Sequence, residues 1–391
     1  MASRRTPLAW LAPLALAAAA AASYLALVAR VARLVLLPEP TRDVVRVLAV
    51  DRAGGTVSLT ADPDTTVPGR YGLWFADDTG YARVGALVRR EGDSVVRELV
   101  EEVMGELSAG VAGRLSGWYH LGPDDVPVDA EDVIVETPLG PAPAWLTRGG
   151  SEELWAVHVH GRGARRAECL RALPVFGEAG ITSLVVSYRN DPEAPPSRDG
   201  RYGLGATEWR DIEAALRFAR ARGARRVVLV GWSMGGAIAL QVLARSSLAR
   251  ELVVGLVLDS PVIDWRSTLR FQAARRRIPA AVAAPALRLV QASWAGLVTG
   301  QAQALELDSL DFVTRAGELS RPALILHSDG DDFVPPEASR RLARARPDLV
   351  TLVEYADARH TRLWNVDSER WERAVGDWLD RHVLQAARSR T

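Results

Sequence analysis

The chain of 391 residues has no lysine and one cysteine, Cys169. Arginine therefore supplies every fixed positive side chain. The 48 basic residues balance 48 acidic ones, so the formal net charge is zero. A balanced chain lacks the basic footprint on which nucleic-acid binding depends, which argues against nucleic acid as a partner. A single cysteine excludes an intramolecular disulfide and any cysteine-based metal site. In Ala167-Glu168-Cys169-Leu170-Arg171 it reads as a small buried residue on a helix. Nothing in the pattern implies a metal or an organic cofactor. Arginine runs such as Arg275-Arg276-Arg277 read as solvated surface, with an anionic membrane surface as the alternative partner.

Charge is also missing from one long stretch, Leu8 to Val28, which is mostly alanine and leucine. Its 21 residues match the length an α-helix needs to cross a bilayer. Arg4 and Arg5 precede it, Arg30 and Arg33 follow it, and Pro38 and Pro40 close it. A membrane anchor over residues 1–37 is the expectation. A signal peptide cleaved in the alanine run Ala17 to Ala22, giving a secreted protein, is the alternative. The basic N-terminus before a first helix leans towards a single pass with the rest of the chain outside the cytoplasm.

Residues 43–125 read as a small β-rich module. Strands are expected at Val44–Val50, Thr56–Thr60, Gly69–Phe75 and Tyr81–Val88. The module holds no cluster of histidine, carboxylate or cysteine that suggests chemistry of its own. It reads as a structural extension, or as a piece packed over the site or against the membrane.

From residue 130 the pattern changes again. Val133–Thr137 and Ala142–Leu146 bracket Pro138-Leu139-Gly140-Pro141 as a hairpin. Strand then alternates with helix: Leu154–His160, a helix over Arg165–Glu178, Ile181–Tyr188, a helix over Thr207–Arg222, Val227–Val230, and Leu252–Leu258. Residues 262–320 break the alternation as a helical cap. It resumes with Ala323–His327, Pro336–Arg344, Val350–Tyr355 and a closing helix over Ser368–Val383. Alternation of this kind predicts a mostly parallel sheet covered by helices on both faces.

The centre of this region is Gly231-Trp232-Ser233-Met234-Gly235-Gly236, between an apolar strand and a helix. A serine at a tight strand-to-helix turn, flanked by small residues, is the context of a nucleophile elbow. A serine hydroxyl needs a base beside it, and the base needs an orienting carboxylate. Three histidines follow Ser233. His327 ends a strand, His382 sits late in the last helix, and His360 lies in the loop after the last strand. That loop opens at the carboxyl edge of the sheet, where Ser233 also falls, so His360 is the candidate base. The acid candidates are Asp329, Asp331 and Asp332, all just after the strand Ala323–Leu326.

These elements, in this order, resemble the α/β-hydrolase superfamily over about residues 130 to 385. Ser187-Tyr188-Arg189-Asn190-Asp191, Glu208-Trp209-Arg210-Asp211 and Trp364-Asn365 are similar to a bacterial subgroup near the serine aminopeptidase and prolyl-oligopeptidase-like hydrolases. The resemblance implies Asp331 as the acid, from its place before Val334-Pro335, with Asp332 as rival and Asp329 capping the turn. It implies an oxyanion hole built from the backbone N–H groups of Met234 and Arg162, the latter in His160-Gly161-Arg162-Gly163. Gly161, Gly231 and Gly235 are its motif glycines, and His160 is a structural hydrogen-bonding residue. Ser328 stands where the family often has glycine. The implied activity is that of a serine hydrolase cleaving an acyl ester, a lipid ester, or a peptide or amide. An acyltransferase on the same residues is one alternative, an inactive scaffold another, and a β-rich module that is itself the functional part a third.

Overall fold

The computed structural model describes residues 8–37 and 42–385. Arg4, Arg5, Pro38 and Pro40 lie outside the described residues. Helix α1 runs from Leu8 to Leu36 as one rod. Every side chain from Ala12 to Leu27 is exposed, whereas Val28, Ala32, Val35 and Leu36 are buried in the main core. The helix therefore has a bare apolar half and a docked half.

Six strands follow: β1 (Val45–Asp51), β2 (Thr56–Thr60), β3 (Tyr71–Phe75), β4 (Gly80–Glu91), β5 (Ser94–Met104) and β6 (Ala112–Ser116). They close into a barrel in the order β1-β2-β5-β4-β3-β6. Closure leaves no edge strand unpaired. The barrel has its own interior, with Val47, Val57, Leu59, Leu73 and Val84 fully buried. It contains two strands, β5 and β6, beyond the four expected. The pairing of β4 with β5 carries four register shifts, and β5 loses the simple alternation by which strands are recognised.

The second sheet begins with the antiparallel hairpin β7 (Ala130–Thr137) and β8 (Gly140–Thr147). It continues with β9 (Ser151–Val159), α2 (Leu173–Glu178), β10 (Ile181–Val186), α3 (Trp209–Ala221), β11 (Arg226–Trp232), α4 (Met234–Arg245), α5 (Ser247–Leu252) and β12 (Val253–Asp259). The cap follows as α6 (Trp265–Arg275), α7 (Ala280–Leu289) and α8 (Gly296–Thr299). Last come β13 (Ala323–Ser328), α9 (Glu337–Ala345), β14 (Val350–Tyr355), α10 (Leu363–Val366) and α11 (Ser368–Leu379). The eight strands are ordered β14-β13-β12-β11-β9-β10-β8-β7. All pairs from β14 to β10 are parallel.

Successive side chains of one strand leave opposite faces. Trp155, Val157 and Val159 of β9 join the core shared with α1, α3 and α4, while Leu154 and Ala156 join the one shared with α2 and α11. Both faces are thus apolar, as a helix-covered parallel sheet requires. One expected helix is replaced. Residues 166–172 form a 3-10 turn, and α2 starts only at Leu173. Pro174 lacks an N–H, so a continuous α-helix through this point would lose a bond and clash with the preceding turn. Cys169 is buried, on the 3-10 turn rather than on an α-helix.

Candidate active site

Ser233 sits between β11 and α4 with φ of 52° and ψ of −115°, a region that non-glycine residues rarely occupy. Its backbone is held on both sides. The N–H donates to the Asp259 carbonyl at 3.0 Å, and the carbonyl accepts from Gly236 at 3.0 Å and Val262 at 3.1 Å. The turn is possible because the residues two before and two after Ser233, Gly231 and Gly235, lack side chains. A Cβ on Gly235 would stand 2.1 Å from the Val159 carbonyl oxygen, and one on Gly231 would stand 2.6 Å from the Gly235 backbone. The strain is overdetermined by this packing, and its result is a serine hydroxyl raised above the ends of the strands.

His360 lies in the loop between β14 and α10. Its Nδ1 is 2.7 Å from Asp331 Oδ2, and its Nε2 is 2.8 Å from Ser233 Oγ. A carboxylate only accepts, so Nδ1 carries the proton and Nε2 is left to accept from the serine. Asp331 Oδ1 accepts from the backbone N–H groups of Phe333 at 2.9 Å and Val334 at 2.8 Å. His327 Nε2 approaches Oδ2 at 3.3 Å and also meets the Val334 carbonyl at 3.0 Å. Burial alone would raise the Asp331 pKa. The charge of His360 and the hydrogen bonds from both histidines outweigh it and hold the carboxyl far below its usual range. For His360, burial opposes the charged form, but Asp331 prevails and the pKa lies above the ordinary histidine value.

The rival acids are engaged elsewhere. Asp332 pairs with Arg359, and Asp329 with Arg340. Asp329 therefore does not cap the turn. Ser328 does so, its Oγ accepting from Gly330 N at 3.0 Å. The hydroxyl at this position supplies a bond that a glycine could not.

Gly161 packs against the nucleophile. A Cβ there would stand 3.3 Å from Ser233 Cβ. Its N–H donates to Glu168 Oε2 at 2.9 Å. The Arg162 backbone comes next, while its guanidinium donates to the carbonyl of Val35 in α1 at 2.6 Å. Met234 is the first residue of α4, where backbone N–H groups have no acceptor within the helix. His160 is fully buried. Its Nε2 faces Asp191 at 2.8 Å, its Nδ1 faces the Gly161 carbonyl at 2.9 Å, and its ring stacks on Tyr188. Burial opposes its charge, yet these acceptors raise its pKa. Two further motif segments hold α3 and the loop before it. Arg189 binds Asp211 with two bonds of 2.7 Å, and Glu208 accepts from Gly203 at 2.6 Å and Gly205 at 2.8 Å.

Two groups near the site were not legible in the sequence. Glu168 is buried and links the Gly161 turn to Thr361 Oγ1, which lies 3.3 Å from its carboxylate and 193 residues from it in the chain. Asp64, in the barrel, meets arginines on both sides of His360. Neither carries a local signature, because the partners of each lie far off in the chain. A small cleft of about 40 Å³ lies beside Arg162, lined by Val31, Leu34 and Val35 of α1, by Leu269 and Gln272 of α6 and by Arg276 at the end of α6.

A sequence profile of the alpha/beta hydrolase family matches residues 156–375, and the chain belongs to that family. A domain of unknown function (DUF8805) matches residues 46–116, the span of the barrel. Among solved structures, an esterase of Pyrococcus furiosus, Pf2001, is similar at 18% identity and a TM-score of 0.51, covering 67% of this chain and 96% of that one. A thermophilic esterase from Thermogutta terrifontis has 20% identity and a TM-score of 0.44, over 65% and 100% of the two chains. A puromycin-hydrolyzing peptidase from Mycobacterium tuberculosis has 16% identity and a TM-score of 0.47, over 83% and 45%. The Pf2001 likeness is one of fold, and function has to be argued from the site. No curated protein matches the chain in sequence.

Proposed function

We propose that this chain is a serine hydrolase that cleaves acyl esters through an acyl-enzyme. The observation that carries the reading is the unbroken hydrogen-bonded line from Asp331 through His360 to Ser233 Oγ. Ser233 Oγ attacks the acyl carbonyl carbon while His360 Nε2 takes its proton. The carbonyl oxygen becomes an oxyanion facing the backbone N–H groups of Met234 and Arg162. Each such donor is worth on the order of a hundredfold or more in rate. The C–O bond to the leaving group breaks, and His360 returns the proton to the departing alkoxide. Water then attacks the acyl-serine, losing its proton to His360; the bond to Ser233 Oγ breaks, His360 returns the proton to Oγ, and the free acid leaves. Asp331 stays ionised throughout and holds the imidazole in the required tautomer.

An apolar or lipid ester is the substrate class, and α1 is a single-pass anchor in a bilayer. The exposed half of α1, with the preceding turn, is about 30 Å of apolar helix, the thickness of a bilayer's hydrocarbon core. Such a rod standing free in water would be costly at about 25 cal/mol per Å² of apolar surface. The test is turnover of a panel of esters of increasing acyl length, with and without an added alcohol acceptor. Release of free acid by the wild type, abolished in Ser233→Ala, supports the reading. Turnover that persists in Ser233→Ala overturns it, and exclusive formation of the transferred ester replaces hydrolysis by acyl transfer.

A further inference from the structure

We propose that the N-terminal barrel holds the catalytic loop in place, with Asp64 as a positioning residue for His360. The proposal rests on the reading of His360 as the general base. The residue after His360, Thr361, has φ of 54°. A β-branched residue keeps such a conformation only where its surroundings overdetermine it. On the hydrolase side the loop has two side-chain contacts to Thr361. Its N–H donates to Ser260 Oγ at 3.2 Å, and its hydroxyl donates to Glu168 at 3.3 Å.

The barrel reaches the residues on either side of the His360-Thr361 pair. Asp64 Oδ1 lies 2.8 Å from Arg359 Nε and 2.6 Å from Arg362 Nη1. One carboxylate oxygen thus gathers the arginines on either side of His360 and Thr361. Arg359 extends its other arm to Asp332, beside the acid Asp331. Arg362 also donates to the Leu115 carbonyl at 3.2 Å. One turn further on, Asn365 is bound through its carbonyl to Arg70 N at 3.0 Å. Its side-chain amide donates to the carbonyls of Arg70 at 2.8 Å and Gly117 at 3.0 Å. The two backbones touch here, since a Cβ on Gly69 would stand 2.1 Å from the Asn365 carbonyl oxygen.

A positioning group must itself be fixed. Asp62 Oδ1 accepts from Asp64 N at 2.7 Å and Thr65 N at 2.8 Å. Behind this turn the buried guanidinium of Arg97 donates to the carbonyls of Thr65 at 2.9 Å, Val67 at 2.8 Å and Gly69 at 2.6 Å. Asp64 is therefore presented by a loop tied to the barrel wall. Ion pairs that are partly exposed, as these are, contribute little to global stability. What the clamp affects is where His360 stands, and displacement of a catalytic group by about 1 Å can cost on the order of a hundredfold in rate.

The experiment uses the full chain and compares wild type, Asp64→Ala and Asp64→Glu. Its readouts are kcat and KM on a soluble ester, the thermal midpoint, and hydrogen exchange of residues 357–366. In Asp64→Ala, kcat is expected to fall about tenfold or more while KM and the midpoint hold. Exchange in 357–366 quickens and the barrel strands stay protected. Asp64→Glu, which keeps the carboxylate, recovers most of the lost kcat. Unchanged kcat and loop exchange in Asp64→Ala would overturn the proposal. So would a loss of kcat that tracks a lowered midpoint and is not recovered by glutamate. Ser233→Ala in parallel separates the two claims. If it retains the turnover, the serine mechanism fails, and loop exchange alone decides the clamp.

Discussion

Asp331 is surrounded by four donors, two backbone amides and two histidines, and this makes it a fixed anion opposite His360. The consequence is a pH dependence with a definite sign. His360 must be neutral to accept the serine proton, and its pKa is raised by Asp331. The acid limb of kcat/KM is therefore expected above the ordinary histidine value near 6.5. In Asp331→Asn the limb moves to lower pH, and kcat falls by about four orders of magnitude, the scale seen when a triad loses its orienting carboxylate. A pH–rate profile of both proteins checks this. The sequence offers Ser233, His360 and the acid cluster as candidates because each follows a strand end, and the structure brings Ser233, His360 and Asp331 within hydrogen-bonding distance. The choice among Asp329, Asp331 and Asp332 rested on resemblance alone, since all three share one turn. Glu168 and Asp64 stayed hidden because distant segments give them their surroundings.

At the scale of elements, glycines show where packing leaves no choice. Gly235, in the first turn of α4, lies against the end of β9 with no room for a methyl group. Gly235→Ala is expected to cost about 1–3 kcal/mol or more, since backbone rather than a pliable side chain must move. Gly177 is the opposite case, exposed in α2 with nothing within 4 Å of the place a Cβ would take. Gly177→Ala should stabilise by about 0.5–1 kcal/mol through the unfolded state and helix propensity. Urea unfolding of the two variants reads both signs. The βα alternation was legible because the parallel strands β10 to β13 are short apolar runs that lead towards helices. The barrel was half legible. Ser94–Met104 mixes acidic residues with valines in a bulged pairing, which leaves no clean period of two. The helix expected over Arg165–Glu178 failed at Pro174, a residue whose disruptive effect was there to be read.

For the whole molecule, α1 is both a protruding apolar rod and part of the core. Cleavage within Ala17–Ala22 would leave its docked half in place, so both anchor and signal readings are compatible with the packing. Deleting residues 1–24 is expected to leave the hydrolase core folded. Deleting residues 1–41 removes Val28, Ala32, Val35 and Leu36 from that core, together with the carbonyl that receives Arg162. Burial of a Val or Leu side chain is worth about 1.5–3 kcal/mol, so the longer deletion should lower the unfolding midpoint sharply. Thermal unfolding of the two truncations measures the difference. Sequence alone marked this segment as apolar, but not where membrane length ends and core begins. That boundary depends on the cap helix α7 lying alongside, where Tyr24 Oη donates to the Ala281 carbonyl at 2.7 Å.

The central claim is that Ser233 is an activated nucleophile. Its most direct test is labelling of the full chain with a fluorophosphonate probe, with the adduct located by mass spectrometry. The account predicts one adduct, on Ser233, formed by the wild type and absent in Ser233→Ala. Loss of the nucleophile from such a triad costs about a millionfold in turnover, so the contrast has no middle ground. A folded wild type that takes no label, or carries it on another residue, would contradict the account.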